Sequence, residues 1–264
     1  MTVEQEQQFK YYWYAAKQAI EEQRYPDALV LLEFCHALNP ADGTTLYQLG
    51  VFHQGMGHAD KAKTYFERAY AAQPKGTANE DLLEQLKRIY LSENQWEKAL
   101  AIQDEIDQRT EYDALSALTR YRIYAMWGKP KKAIEAIDQY LERDPANLRF
   151  LLFRLELMEH MGAKRKELYA MYEKILEVDP YNLMVLNNYA YHLATHGGDL
   201  KKAERMSEIT IRQEPNNPVY LDTYGWIMHL QGQDELAKFY LQKALWNAND
   251  NTKTEVNTHL EAIK

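Results

Sequence analysis

The sequence predicts an all-α protein built from repeated pairs of helices, and three observations support this prediction. Glycine and proline number only 11 and 8 in 264 residues, which disfavours an all-β protein with many tight turns. Prolines recur at a nearly constant step, since Pro40 and Pro74 are 34 residues apart and Pro145, Pro180 and Pro215 are 35 apart. A small residue recurs with the same period, which is typical of stacked helical hairpins.

The recurring small residue lies near the start of each predicted second helix, and leucine replaces alanine once. The series is Ala28, Ala62, Ala99, Ala133, Leu168, Ala203 and Ala237. It predicts one solenoid over residues 1–264 with seven units and a final capping helix. The units are approximately 9–42, 43–76, 80–113, 114–147, 148–182, 183–217 and 218–250, and the capping helix covers 252–264. Three residues are inserted around the sequence KGTANE, between the second and third units.

Within a unit, the pattern predicts two amphipathic helices joined by a short turn. The second unit shows it through Leu46, Leu49, Gly50, His53, Gly57, Ala62, Phe66, Ala69 and Pro74. The seventh unit repeats it through Leu221, Tyr224, Gly225, Met228, Gly232, Ala237, Leu241 and Ala244. These residues resemble the tetratricopeptide repeat (TPR) family, most closely the multi-repeat TPR proteins of bacteria. The resemblance implies a right-handed superhelical solenoid of antiparallel helix pairs.

A glycine inside each of two first helices costs about 1 kcal/mol of helix propensity, which a close contact can offset. We expect Gly50 and Gly225 to lie where the partner helix of the pair approaches, with Ala16 and Ala190 in the same role. The middle units carry larger residues at this site: Lys87, Tyr121 and Leu155. Those pairs are therefore expected to be more open or shifted, and the fifth and sixth turns carry one extra residue.

The final segment predicts a helix that covers the exposed end of the stack, as terminal caps of solenoids do. Thr252 and Glu255 have the spacing of a capping box at its start. Val256, Leu260 and Ile263 fall on one face, which is expected to pack on the last repeat.

The net charge of −8 and a pI of about 5.6 disfavour binding to nucleic acid, because such binding depends on lysine and arginine against phosphate. The single cysteine, Cys35, cannot form an internal disulfide and is interpreted as a core residue. The sequence contains no apolar run long enough to predict a transmembrane segment. Its first residues do not show the pattern of a leader. We expect a soluble chain in the cytoplasm, or in the periplasm or cell envelope after removal of a leader.

Catalytic patterns are weak, and the chain is predicted not to be an enzyme and to need no cofactor. His192 and His196 are four residues apart on one predicted helix, a spacing that could present two imidazoles to a metal. The glutamate of the HExxH pattern is missing and no third ligand can be placed, so surface histidines are the favoured interpretation. A metal-dependent enzyme built on this pair is the least favoured hypothesis.

The TPR resemblance implies a concave wall formed by the first helices, which in TPR proteins holds peptides or partner proteins. The inward-facing sites of the family fall on Lys10, Trp13, Lys17, Tyr47, Arg88, Arg122, Arg149, Asn187, Tyr191, Asp222, Trp226 and His229. The aromatic members could equally pack in the core. The predicted function is a non-catalytic interaction scaffold or adaptor with a protein or peptide partner. One alternative is a structural solenoid that self-assembles into a homo-oligomer. The other is a cell-envelope assembly factor.

The turns of units four, five and six carry clusters of basic residues that recur every 35 residues. They are Lys129, Lys131, Lys132, Lys164, Arg165, Lys166, Lys201 and Lys202. Simple solvation of the turns explains them, and the second hypothesis is a basic edge that receives an acidic partner or an anionic membrane surface.

Overall fold

The structure is a computed structural model that describes residues 1–74, 76–110 and 112–263, and every helix in these residues is an α-helix with no strand beside it. The helices are α1 (Val3–Glu21), α2 (Tyr25–Leu38), α3 (Gly43–Gly55), α4 (Ala59–Ala71), α5 (Glu80–Ser92), α6 (Trp96–Asp107), α7 (Ala114–Met126), α8 (Pro130–Leu141), α9 (Leu148–His160), α10 (Arg165–Val178), α11 (Leu183–Thr195), α12 (Leu200–Gln213), α13 (Pro218–Leu230), α14 (Asp234–Asn247) and α15 (Asp250–Ala262). The predicted all-α class, with seven helix pairs and a final helix, is confirmed. No helix in the described ranges combines the length and apolar character needed to cross a membrane.

The chain divides into two compact units, Met1–Tyr140 and Leu141–Lys264. In the first unit, α1 to α7 pack in chain order, each helix on the next. In the second unit, α9 to α15 do the same, and α13 also contacts α11 and α15. The seven sequence units and the single solenoid domain over 1–264 stay a prediction, and Lys75, Glu111 and Lys264 lie outside the described residues.

The first helix of each pair begins at a residue whose side chain caps it. The capping residues are Thr2, Asp42, Asn79, Asp113, Asn147, Asn182 and Asn217, and each side-chain oxygen accepts a backbone N–H of the first turn. Such a cap contributes about 1 kcal/mol and fixes where the helix starts. The connections between pairs are therefore defined by short polar side chains.

The turn inside each pair uses one residue in the left-handed region of backbone space. These residues are Gln23, Gly57, Asn94, Gly128, Gly162, Gly197 and Gly232, with φ between 57° and 78°. Glycine adopts this conformation without steric cost, and asparagine tolerates it. The predicted extra residue is present in the turns 161–164 and 196–199, which are one residue longer than the turn 56–58.

The glycines of the second and seventh pairs lie where the prediction placed them, against the partner helix. A Cβ atom on Gly50 would lie 2.6 Å from the ring of Phe66 on α4. A Cβ atom on Gly225 would lie 2.7 Å from Cγ of Leu241 on α14. Phe66 and Leu241 are fully buried, so they have little room to move away from an added Cβ atom. Only glycine therefore permits the two helices of each pair to approach this closely.

The third pair replaces this close approach with a polar contact. Lys87 occupies the glycine position, and its Nζ bonds Oε1 of Gln103 on α6 at 2.9 Å and Oε1 of Glu84 at 2.6 Å. In the fifth pair, buried Leu155 occupies the site, and α9 and α10 approach closely over a shorter stretch than α13 and α14. These observations fit the expectation for the third and fifth pairs, and the expectation for the fourth pair, at Tyr121, stays a prediction.

The predicted start of the final helix is wrong. The helix begins at Asp250, and Asn249 caps it by accepting the backbone N–H groups of Asn251 and Thr252. Thr252 therefore lies inside the first turn, where its hydroxyl donates to Asn249 O at 3.2 Å, and it forms no capping box with Glu255. Asn249 precedes Thr252 and is itself a strong cap, which explains the earlier start. The predicted apolar face is confirmed at Val256 and Ile263, which are buried.

We predict that Gly50→Ala lowers the free energy of unfolding by about 1 to 2 kcal/mol, because the new methyl group overpacks the Phe66 contact by more than helix propensity returns. Gly55→Ala is the matched control, since Gly55 ends the same helix and a Cβ atom added there would meet nothing within 4 Å. The control is expected to keep or slightly raise the thermal unfolding temperature. A Gly50→Ala variant as stable as the control would contradict this account of the helix contact.

Candidate binding surfaces on the first helices

The predicted wall residues of α1 lie beside a depression between α1 and α3. Trp13 and Lys17 line it together with Gln48 of α3. Trp13 is half-buried and packs on the core formed by Leu32 and Leu49. Trp13 thus serves the core and still presents part of its ring at the surface. Lys10, one turn earlier, is exposed.

Tyr47 on α3 belongs mainly to the core of the first unit. Its ring centroid lies 5.8 Å from that of Phe66, and it packs on the buried cluster around Leu82 and Leu86. Burial raises the pKa of its hydroxyl. This partly buried side chain is therefore a structural contact of the core.

A groove between α5 and α7 contains the two predicted wall arginines, and we call it the arginine groove. Its lining residues are Glu80, Glu84, Lys87, Arg88, Leu91, Leu115, Thr119, Arg122, Ile123 and Met126. The volume of the groove is about 490 Å³. Leu115 and Met126 are 69% and 64% exposed, so the groove presents apolar surface to solvent as well as charge.

The cations of the arginine groove differ in how they are bound. Lys87 is held by Glu84 and Gln103. Arg88 and Arg122 are exposed, and neither forms a hydrogen bond or ion pair with another described residue. The groove is also lined by the carboxylates of Glu80 and Glu84, of which Glu84 pairs with Lys87. Two guanidinium groups that have no ion pair with a described residue and lie beside apolar side chains are suited to a carboxylate ligand that also carries apolar groups.

In the second unit, a polar pocket lies among the first helices, and we call it the carboxylate pocket. Its volume is about 320 Å³. Its polar lining residues are Glu159, Asn187, Asn188, Tyr191, His192, Asp222, Thr223, Thr252 and Glu255. The predicted wall residues Asn187, Tyr191 and Asp222 are therefore brought together, and α15 contributes a further carboxylate.

Asp222 is not presented to solvent, because the final helix covers it. Asp222 is 5% exposed, and Nδ1 of His259 lies 2.9 Å from Oδ1 and 3.0 Å from Oδ2. Burial raises the pKa of Asp222, while the His259 contact opposes that shift. The ring of Trp226 stacks on His259 with centroids 4.3 Å apart and planes 18° apart. Two predicted wall residues are thus contacts of the protein's own last helix.

Tyr191 and Asn187 complete this pocket. The Tyr191 hydroxyl donates to Oε1 of Glu255 at 3.1 Å, and burial, with the Glu255 charge, raises the pKa of Tyr191 to about 12. Asn187 is 4% exposed, and its Oδ1 has no hydrogen-bond partner among the described residues. A buried amide oxygen without a hydrogen-bond donor is uncommon and costs free energy. This oxygen therefore singles out the carboxylate pocket as a candidate binding site.

The remaining predicted wall residues lie away from the pockets. Arg149 is exposed and lies over the ring of Phe153, 5.5 Å from its centroid. Nδ1 of His229 lies 2.7 Å from Oδ1 of Asp234, at the turn of the seventh pair. Both residues are engaged within the chain.

The histidine pair singled out in the sequence has a stacked geometry. The rings of His192 and His196 are 5.4 Å apart and nearly parallel, at 14°. Nδ1 of His196 lies 3.0 Å from the carbonyl oxygen of His192, and burial lowers the pKa of His192. Ring nitrogens coordinate within the ring plane, so parallel rings do not direct them at one ion. Cys35 is fully buried, as predicted, and burial raises the pKa of its thiol to about 11.

Half of the basic turn residues are engaged with other residues of the same compact unit, Met1–Tyr140 or Leu141–Lys264. Lys129 lies 3.1 Å from the centroid of the Trp127 ring, and Lys132 pairs with Glu135 at 2.7 Å. In the second unit, Arg165 donates to the carbonyl of His196 at 2.9 Å, and Lys202 pairs with Glu173 at 2.7 Å. The others are exposed and make no ion pair with a described residue: Lys131, Lys164, Lys166 and Lys201. The basic edge stays a prediction.

The sequence pattern did not identify Glu255 and His259 as site residues, because it assigned their helix only to a cap. Both lie on α15, and their partners Tyr191 and Asp222 are 64 and 37 residues away in the chain. Glu255 and His259 are four residues apart, a spacing that puts them on one face of a helix. This spacing is the sequence feature that could have identified them as a pair. No pattern within one repeat identifies contacts of that sequence separation.

The comparisons with known proteins agree with this fold. Residues 44–75, a range that contains α4 and nearly all of α3, match the model of the tetratricopeptide repeat family. The C-terminal part of a TPR repeat-containing protein from Cytophaga hutchinsonii is similar in structure, with a TM-score of 0.59, 14% identity, and coverage of 94% of this chain and 98% of that chain. A crystal structure of the protein MamA matches with a TM-score of 0.52 and 14% identity, over 63% of this chain and 90% of that chain. No curated protein sequence matches.

Proposed function

We propose that this tetratricopeptide-repeat protein is a non-catalytic scaffold whose first helices bind a peptide or a partner protein. The observation that supports the proposal is the arginine groove, which combines exposed apolar side chains with two arginines that have no partner among the described residues. Exposed apolar surface rimmed by polar groups is a common property of interaction sites. TPR-type helix pairs present such surfaces on a rigid framework.

The chemistry of the groove indicates the kind of peptide. Covering about 100 Å² of the apolar surface at Leu115 and Met126 would stabilise a complex by about 2.5 kcal/mol before ordering costs. Carboxylates of the ligand would pair with Arg88 and Arg122, which adds orientation and speeds association. An amphipathic segment that alternates acidic and apolar residues fits this surface.

Self-assembly is the second candidate function, and the outer surface of the first pair favours it. Tyr12 of α1 stacks on Phe34 of α2 at 5.1 Å, and Tyr11 packs on Tyr12 at 5.5 Å. Tyr11, Tyr14 and Phe34 are all exposed. Terminal repeats of solenoids usually carry a polar outer face, so an aromatic one is suited to a second copy of the chain.

We predict that an Arg88→Glu, Arg122→Glu variant binds acidic, apolar peptides about tenfold more weakly than the parent chain. An exposed ion pair contributes up to about 1 kcal/mol, and two reversed charges exceed the 1.4 kcal/mol that changes affinity tenfold. The peptides would be selected from a random displayed library on the parent chain, and binding measured by fluorescence anisotropy. Lys61→Glu, Arg205→Glu is the control for net charge, since both residues are exposed and outside the groove. Equal affinity for the groove variant and the control would reject the proposal.

We predict that the parent chain sediments as larger species as its concentration rises, and that Tyr11→Glu, Phe34→Glu returns it to monomer mass. The two carboxylates would place charge in an interface that is otherwise aromatic. Analytical ultracentrifugation over a range of concentrations measures the mass of the parent chain and of the variant. A parent chain that stays monomeric at every concentration would dismiss self-assembly and leave the scaffold proposal unaffected.

A further inference from the structure

Three potential metal ligands meet where α15 packs against α13. Asp222, Glu255 and His259 each offer one ligand atom, and these atoms all lie within 4.8 Å of one another. Ligands bound to one zinc ion at about 2.0 to 2.2 Å stand about 3 to 4 Å apart, so only small side-chain movements separate this arrangement from a coordinated one. Within the described residues no other group of three such side chains is this close.

We propose that Asp222, Glu255 and His259 form a site for one divalent transition-metal ion, with Zn²⁺ as its representative, and that the ion joins α13 to α15. This site is separate from the arginine groove, and it does not depend on the scaffold function. Two carboxylates and one imidazole form a donor set that suits zinc and neighbouring transition metals. Three protein ligands leave one position for water.

The surrounding residues hold the ligands in place. Glu255 and His259 are four residues apart on α15, so they project from the same face. Trp226 stacks on the His259 ring at 4.3 Å, and the Tyr191 hydroxyl donates to Glu255 at 3.1 Å. Ligands on rigid helices, oriented by second partners, are the arrangement that favours metal binding.

The burial of the charges gives a reason for a cation. Asp222 is 5% exposed and His259 is 7% exposed. A buried carboxylate is costly unless a positive charge compensates it. A divalent ion bound by Asp222 would supply that charge.

A second observation points to a ligand at the same place. Asn187 is 4% exposed and lines the carboxylate pocket together with Asp222 and Glu255, and its Oδ1 accepts no hydrogen bond from a described residue. An amide oxygen can accept from a water bound to the ion or approach the ion directly. The orphaned oxygen and two of the three ligands, Asp222 and Glu255, thus border one polar space.

Zinc titration of the full chain, freed of metal by a chelator, tests the proposal by calorimetry. We expect one Zn²⁺ per chain and a thermal unfolding temperature that rises with zinc concentration, because the ion binds only the folded arrangement. Glu255→Gln should weaken binding by at least about tenfold, since even outer-shell changes at metal sites reach that size. Glu255 is exposed, so this variant keeps the fold. Glu261→Gln, on the same helix and outside the cluster, is the matched control.

His259→Gln and His196→Gln provide the second comparison. Loss of zinc binding in His259→Gln, with unchanged binding in His196→Gln, supports the site. The proposal is overturned if the parent chain binds no zinc, if Glu255→Gln binds it as tightly as Glu261→Gln, or if His196→Gln is the variant that loses it.

Discussion

The contact between the two helices of a pair is the constraint on which the rest of the molecule depends. No single pair can bury its apolar face alone, and the stack forms only when each hairpin presents a defined surface to the next. In the second and seventh pairs, Gly50 and Gly225 set the distance through direct contact with Phe66 and Leu241. In the third pair, Lys87 reaches Gln103 instead. These contacts fix which face of each first helix remains open to a ligand.

Two first-helix surfaces on the same type of framework differ in the charged groups that they present. The arginine groove presents two cations without partners among the described residues, whereas the carboxylate pocket gathers Asp222, Glu255 and Glu159. The pocket is partly satisfied from within, because His259 and Tyr191 bind its carboxylates. Repeat architecture therefore sets the positions, while the residues at those positions decide what each surface can bind.

The period of the sequence predicted the helix pairs because proline, glycine and small residues act locally and recur in most units. It also predicted the tight glycine contacts, since a glycine among large apolar residues weakens a helix unless a neighbouring element must come close. The start of α15 was missed because two capping signals, Asn249 and Thr252, lie three residues apart, and Asn249, which comes first, caps the helix. The Asp222 and His259 pair was missed because it joins residues 37 apart, which no local pattern encodes.

The most direct test of the central claim, that the first helices bind the partner, is photo-crosslinking from a peptide selected on the parent chain. A photoreactive group placed among the apolar residues of that peptide would label what it touches, and mass spectrometry would locate the labelled residues. We predict labels on α5 and α7, at Leu115, Met126 and their neighbours. Labels confined to the second helices, α4 and α6, would contradict it.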